Sequence, residues 1–321
     1  MLPPLPPAAP NHHVRAWMQV FGSVMMLAAT LWFVDLVEIW QRLRQLQAAW
    51  LVLTLGILVM QFVLLAARWW WFARRLSAPL SYPQALREYF LAGLLNQILP
   101  FGILGDVSRA IRHARQTRQE ARTSTRAPQV VVAILLERGS GQIALWVVAV
   151  AILPSWWQRL RTLLGPSVPL LLPGAASLLA IALVGTLVWI AWRTLHRIES
   201  ISDLASASWR AMFSPASAAA HLPISFALVG THVLAFVAVA HGLRLQLSLG
   251  LAVHVVPIAL VVTTLPAFLA GWGIREATVA GLYHLAGLRS TDGVTIAILY
   301  GIVSLVASTP GLLVFSRASQ R

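Results

Sequence analysis

Long apolar runs dominate this chain, and charge rarely interrupts them. A helix that crosses a bilayer needs about 20 mostly apolar residues. Six runs reach that length, roughly 17–39, 49–68, 128–153, 169–192, 219–241 and 292–315. Two further apolar stretches stop short. Pro100 and Gly102 interrupt the first, over 86–99; Pro266, Gly271 and Gly273 interrupt the second, over 249–265. Proline removes a backbone donor and glycine loosens the chain. Irregular backbone survives at membrane depth only where protein or water covers it. Both stretches therefore predict re-entrant hairpins, two half-helices joined by a turn inside the membrane. If the hairpins cross fully instead, the chain has eight or more spans.

The order of these pieces repeats. Span, span, broken hairpin, span occurs once over 17–153 and again over 169–315. Arg109 follows Pro100 by nine residues, and Arg275 follows Pro266 by the same distance. A hairpin returns to the side it left, so each half crosses an odd number of times and the halves must be inverted. With the N-terminus inside, seven arginines fall outside (Arg42, Arg44, Arg159, Arg161, Arg244, Arg275 and Arg289), Arg138 falls within a span, and the remaining sixteen of 24 fall inside. Arg68 is counted there, at the inner end of the second span. The direction is that of the positive-inside rule. Tryptophans stand where spans should meet headgroups, among them Trp17, Trp40, Trp50, Trp69, Trp70, Trp71, Trp156, Trp157, Trp189 and Trp192. Inverted repeats with broken helices at a central site are a transporter pattern.

Composition narrows the class. Of 321 residues, 58% are hydrophobic and 11% charged, less than half the charged share of a soluble domain. The expected fold is an all-α, polytopic helical membrane bundle with six full spans and two hairpins. Residues 1–16 are Pro-rich and expected to be disordered; residues 17–321 form one transmembrane domain, with the run from Trp17 read as a retained first span. There is no cysteine, which excludes disulfides and thiolate chemistry. The net charge of +14 is carried by arginine alone. Clustered arginine in such a chain sets topology and meets anionic headgroups; nucleic-acid binding is excluded for want of a domain to carry it. The lysine-free, Ala- and Arg-rich composition points to a bacterial chain; the expected place is the inner membrane, with both termini cytoplasmic by the arginine count.

The charges inside the apolar segments are the candidate chemistry. Gly105, Asp106 and Arg109 follow the first break, and Asp106 and Arg109 share a helix face. They read as a polar floor for a phosphate-bearing headgroup, or as a helix-start acid and a snorkelling arginine. Arg275 and Glu276 follow Gly271-Trp272-Gly273 and should face the bundle interior; an interfacial pair is the alternative. Glu137 and Arg138 lie inside the third span, where a charge costs ~2.5–3.5 kcal/mol on insertion scales. Such a pair is hard to explain without a function, and Gly139-Ser140-Gly141 after it permits close approach. Asn96, one turn before Pro100, either satisfies freed backbone groups or lines the site. The six arginines of 109–126 predict one basic helical stripe touching anionic lipid. His232, His254 and His284 read as neutral histidines bonded between helices, with a proton relay as the lesser possibility. No metal-ligand spacing, phosphate loop or hydrolase motif is present, and no cofactor is expected.

These residues resemble a known pattern. Asn96 to Pro100, then Gly105-Asp106-Val107 and Arg109, is similar to the "N…LP…GGD.vR" stretch of the flippase-like transmembrane region of lysylphosphatidylglycerol synthases, found also as stand-alone membrane proteins. Glu137-Arg138 resembles that family's "ER" pair, and Gly271-x-Gly273-Ile274-Arg275-Glu276 its "GG.G.rE" stretch. Leu104 replaces the first glycine of the first motif, and Trp272 interrupts the second glycine cluster. The resemblance implies a protein that moves or handles a lipid with a polar headgroup. It implies no lysyl transfer, since that chemistry belongs to a separate soluble domain not expected here.

The expected function is therefore that of a lipid translocase for an anionic or polyprenyl-linked headgroup. Arg109 and Arg275 would bind phosphate, with Asp106, Glu137 and Glu276 holding them. A membrane-embedded transferase acting on a lipid-linked substrate is one alternative. A non-transporting partner of a lipid- or glycan-synthesising enzyme is the other. Expected partners are anionic membrane lipids and such an enzyme.

Overall fold

The structure is a computed structural model that describes residues 36–78, 80–99, 104–121, 127–164, 199–245, 247–264 and 271–318, with isolated positions 25, 28 and 32 before them. The predicted spans over 17–39 and 169–192 lie largely or wholly outside these residues, as do the N-terminal 1–16 and the breaks at Pro100, Gly102 and Pro266. Every regular element among the described residues is a helix. In chain order they are α1 (Leu36–Arg44), α2 (Ala48–Arg75), α3 (Tyr82–Ile98), α4 (Leu104–Ala121), α5 (Ala127–Leu164), α6 (Glu199–Phe213), α7 (Pro215–Gly242), α8 (Leu249–Thr263), α9 (Ile274–Leu285), α10 (Ser290–Ser308) and α11 (Gly311–Ala318).

Among the described residues, four segments are long and apolar enough to cross a membrane: Ala48–Arg75, Ala127–Trp157, Pro215–Gly242 and Ser290–Val314. They coincide with the second, third, fifth and sixth predicted spans. Between them sit the two broken stretches, each now a pair of helices. α3 and α4 run antiparallel, since Asn96 meets Gly105 and Asp106 near the turn while Glu88 meets Arg112 further back. α3 ends at Ile98, and the next residue, Leu99, is extended (φ −88°, ψ 148°), the conformation the following proline demands. After α8, Gly271 and Gly273 take φ +77° and +83°, a region open to glycine, and the chain re-enters a helix at Ile274.

The repeat is visible in detail. α2 and α7 each have 28 residues. Each closes with the same motif: Ala78 N–H donates to Ala73 C=O and Leu245 N–H to Ala240 C=O, both at 2.8 Å. Each places a non-glycine residue at positive φ two residues past the helix, Ser77 at 55° and Arg244 at 58°. The links that follow bury alternate residues, Leu76, Ala78 and Leu80 in one half, Leu243, Leu245 and Leu247 in the other. Each link ends on a serine, Ser81 or Ser248, that begins the next helix.

α2 and α7 pack against each other in opposite directions. Gln47 N–H donates to Gly242 C=O at 3.0 Å, and Trp50 meets His241. At the other end Trp71 meets His221, and Arg68 reaches Ser225. This corresponding pair of helices is thus antiparallel, as an inverted repeat requires. In lipid there is no hydrophobic drive between helices, so contact rests on close packing and polar links. Small buried residues supply the packing here: Ala66 and Ala73 on α2, Ala235, Ala238 and Ala240 on α7. Trp69, Phe72 and Phe236 fill the remaining volume.

Two tryptophans depart from the interfacial reading. Trp69 is wholly enclosed, and Trp156 is buried with its indole N–H donating to His254 C=O at 2.9 Å. The antiparallel α2–α7 pair is open to test, because the chain has no cysteine of its own. With Trp50→Cys and His241→Cys, a short bis-maleimide is expected to link α2 to α7, read by mass spectrometry of the joined peptides. Trp50→Cys with His221→Cys should give no such product.

Candidate functional site

Glu137 is the centre of the site. It lies ten residues into α5, about 15 Å along the helix at 1.5 Å per residue, and is fully buried. A lone carboxylate there would be prohibitive, so it must be paired and hydrogen-bonded. Its Oε1 accepts from Arg68 Nε at 3.1 Å and Nη2 at 2.5 Å. Its Oε2 accepts from Arg109 Nη2 at 2.9 Å. Arg68 Nη1 donates to Ser225 Oγ at 3.0 Å, and that hydroxyl donates to His221 C=O. One carboxylate therefore ties α2, α4 and α5 together, and through Arg68 reaches α7.

The chain of charges continues outward. Arg109 Nη2 also pairs with Asp106 Oδ1 at 2.9 Å, and Asp106 Oδ2 pairs with Arg138. Asn96 orders this end: its amide donates to Asp106 Oδ2 at 3.2 Å, while its Oδ1 accepts the Gly105 N–H at 2.7 Å. Asn96 so satisfies a freed amide past the break and orients Asp106. Gly105 is required for this approach, since a Cβ there would collide with Ala92 C=O and Asn96 Oδ1. Arg109 lies between two rings, 4.6 Å from the centroid of Trp69 and 4.2 Å from that of Tyr89.

The result is an alternating line, Arg68–Glu137–Arg109–Asp106–Arg138. Three guanidinium groups face two carboxylates, an excess of one positive charge. The side chains of Arg68, Glu137 and Arg109 are at most 4% exposed, whereas that of Arg138 is 42% exposed. Arg138 is the reachable end.

A second group forms in the other half. Glu276 Oε2 accepts the Gly273 N–H at 2.7 Å, and Oε1 accepts from Arg275 Nε and Nη2 at 3.0 and 2.6 Å. The pair faces the interior, as expected, with Arg275 8% exposed and Glu276 fully buried. Arg275 stacks on Trp272 and Tyr300 and lies against Gly301, where a Cβ would strike its guanidinium. His232 Nδ1 meets the Tyr300 hydroxyl at 2.6 Å. Glycine does the same for Arg68, which rests on Gly141. Among the described residues no hydrogen bond or ion pair joins the two groups. The first hairpin does meet the second half elsewhere: Gln97 donates to Ser304 on α10 at 2.9 Å.

Three readings change. Arg68 is not an inner-side topology charge but a buried ligand of Glu137, because α2 continues to Arg75. The apolar and aromatic run Trp69–Phe72 after Arg68 was the signal. The basic stripe over 109–126 does not start at Arg109, which is fully buried; Arg112 pairs with Glu88 at the margin and Arg115 is exposed. Steps of three residues turn a helix by 300°, so successive arginines swing out of the core. His254 bonds within its own helix, to Gly250 C=O, rather than between helices. Among the described residues no cluster of metal-ligating side chains occurs.

Removing the central carboxylate leaves the enclosed Arg68 without its counter-charge and Arg109 with Asp106 alone, a change that costs about 3–5 kcal/mol in buried networks. Glu137→Gln is expected to lower the thermal unfolding midpoint in detergent markedly. Arg138→Gln, at the exposed end, should lower it far less.

Comparison with curated proteins and with solved structures gave no match. The family model described as the lysylphosphatidylglycerol synthase TM region matches residues 17–311, which contain all five residues of the buried line and the Arg275–Glu276 pair. With four apolar spans in the structure and the match running over most of its length, this chain is an integral membrane protein of the lysylphosphatidylglycerol synthase transmembrane-region family.

Proposed function

We propose that the protein is a lipid translocase that handles an anionic or polyprenyl-linked headgroup in the bacterial inner membrane, with both termini cytoplasmic. The observation that carries this reading is the excess positive charge of the Arg68–Arg138 line, enclosed between helices at Arg68 and Arg109 and most exposed at Arg138. A buried network with a surplus cation favours an anion, and guanidinium is well shaped for phosphate. Asp106 holds Arg138 in the absence of ligand. A phosphate that takes the place of Asp106 on Arg138 meets the network at its exposed end, and Arg109 is the next cation inward. Asn96, Gly105 and Glu137 shape this path. Gly271, Gly273, Arg275 and Glu276 form the corresponding station in the second repeat. The family's link to a lipid-modifying synthase supports a lipid as the cargo.

One observation favours a second reading. Arg109 and Arg275 are already paired with carboxylates and enclosed. A non-transporting partner of a lipid- or glycan-synthesising membrane enzyme needs no more than such self-neutralised charges.

Headgroup accessibility in reconstituted vesicles separates the two. Wild type is expected to move fluorescent anionic phospholipid between leaflets, and Arg138→Ala and Arg109→Ala should each slow it at least about tenfold, the loss of one charge-assisted contact. If the wild type moves no lipid of any headgroup class tested, the translocase reading fails and the partner reading stands.

A further inference from the structure

Arg109 leaves most of its hydrogen-bonding capacity unused. A guanidinium carries five N–H donors. Both carboxylates gather at Nη2, with Asp106 Oδ1 and Glu137 Oε2 each at 2.9 Å. Nε and Nη1, which share the other three donors, are buried and meet no acceptor among the described residues. The rings of Trp69 and Tyr89 attract the charge, but a ring face is a weak acceptor for an N–H. Trp69 repeats the pattern. It is wholly enclosed, its indole N–H meets no acceptor among the described residues, and its ring centre lies 4.6 Å from Arg109 Cζ.

These donors surround a point of surplus charge. Arg68, Glu137 and Arg109, the enclosed part of the line, sum to one positive charge. A buried donor without a partner is rare and calls for a water or an ion. Water is the poorer answer. It must find acceptors for its own hydrogens, and the carboxylate oxygens nearby are already held by Arg68, Arg109 and Arg138. An anion only accepts, and it offsets the charge as well.

We infer that Arg109 and Trp69 hold a small monovalent inorganic anion of the halide class, chloride first among them, where α2, α3 and α4 meet. Enclosure selects the class. Desolvation rises steeply with charge, so a divalent phosphate or sulfate leaves water at far greater cost than a halide. A single negative charge also cancels the surplus of the enclosed groups, which two would overshoot. The halide is a resident ion, distinct from the headgroup proposed to meet Arg138, and the inference stands whether or not the protein moves lipid.

Two experiments on the detergent-solubilised full chain test the inference. In the first, radiolabelled chloride is titrated in a gluconate buffer and bound label is read by scintillation proximity. The wild type is expected to bind chloride saturably, and unlabelled bromide should displace it where inorganic phosphate at the same concentration does not. Trp69→Phe keeps a ring beside Arg109 and removes the indole N–H; it is expected to bind about tenfold more weakly. Trp157→Phe removes another buried indole N–H without a partner, twenty residues past Glu137 on α5, and should bind as wild type does. Absence of saturable binding overturns the site, and displacement by phosphate in preference to bromide overturns the halide. Undiminished binding by Trp69→Phe, or an equal loss in Trp157→Phe, overturns the assignment to Trp69.

In the second, the thermal unfolding midpoint of the wild type is compared in chloride and in gluconate at equal ionic strength. A bound ion stabilises the folded chain by mass action, so the midpoint is expected to rise with chloride and level off, with a smaller rise in Trp69→Phe. A midpoint that is the same in both salts leaves only water beside Arg109 and overturns the inference. Should Trp69→Phe fail to fold, the order of displacement on the wild type decides the occupant alone. Neither readout depends on lipid movement, so failure here leaves the translocase reading intact.

Discussion

The structure depends on one carboxylate. Glu137 sits where no water reaches, and its charge is tolerable only because Arg68 and Arg109 donate to its two oxygens. That requirement sets the positions of three helices at once. α2 must continue past Arg68 far enough to keep it enclosed. The α3–α4 hairpin must fold tightly enough to bring Arg109 inward, which is why Gly105 closes on Ala92 and Asn96. α5 must offer a glycine, Gly141, one turn from Glu137 so that the Arg68 guanidinium can lie flat against it. Apolar packing alone would let these helices slide, since lipid solvates them nearly as well as they solvate each other. The charges remove that freedom.

Much of the architecture was legible in the sequence. Pro100 and the Gly271–Gly273 cluster marked both hairpins because proline and glycine act locally, through the backbone. The repeat was legible from the order of elements and the matched proline-to-arginine spacing. What hydropathy could not supply is where a helix stops being a membrane span and simply continues: α2 runs to Arg75 and α5 to Leu164, past the ends of their apolar runs. Arg68 was hidden by this. An arginine at the end of an apolar run looks like a topology charge, and the aromatic residues after it look like an interfacial belt. In fact Trp69 covers Arg109.

The charged motifs were legible as candidates but not as partners. Glu137 and Arg138 are adjacent, yet on a helix neighbours point about 100° apart. Glu137 turns inward to Arg68 and Arg109, while Arg138 turns outward to Asp106. Asp106 and Arg109 looked like a local pair, and they are one, but each also reaches α5. Pairings between helices depend on rotation about helix axes, and sequence spacing fixes rotation only within one helix. The basic run after Arg109 shows the same limit: its spacing suggested one stripe, and drift around the helix divides it into a buried member and more exposed ones.

The two halves share a backbone plan but not a charge plan. Glu137 and Tyr300 each lie ten residues into the long helix that follows the hairpin of their half, α5 and α10. Glu137 accepts two arginines; Tyr300 bonds a histidine and lies beside one arginine. In the first half the hairpin arginine, Arg109, spends its charge across helices, on α5. In the second, Arg275 spends it on the adjacent Glu276 and needs no partner from α10 beyond the faces of Tyr300 and Gly301. The first hairpin is therefore tied by ion pairs to its neighbouring span, while the second is neutral within itself and held there by ring stacking. The inverted backbone supplies two similar helical frames; the unequal charges give the two groups different internal balances.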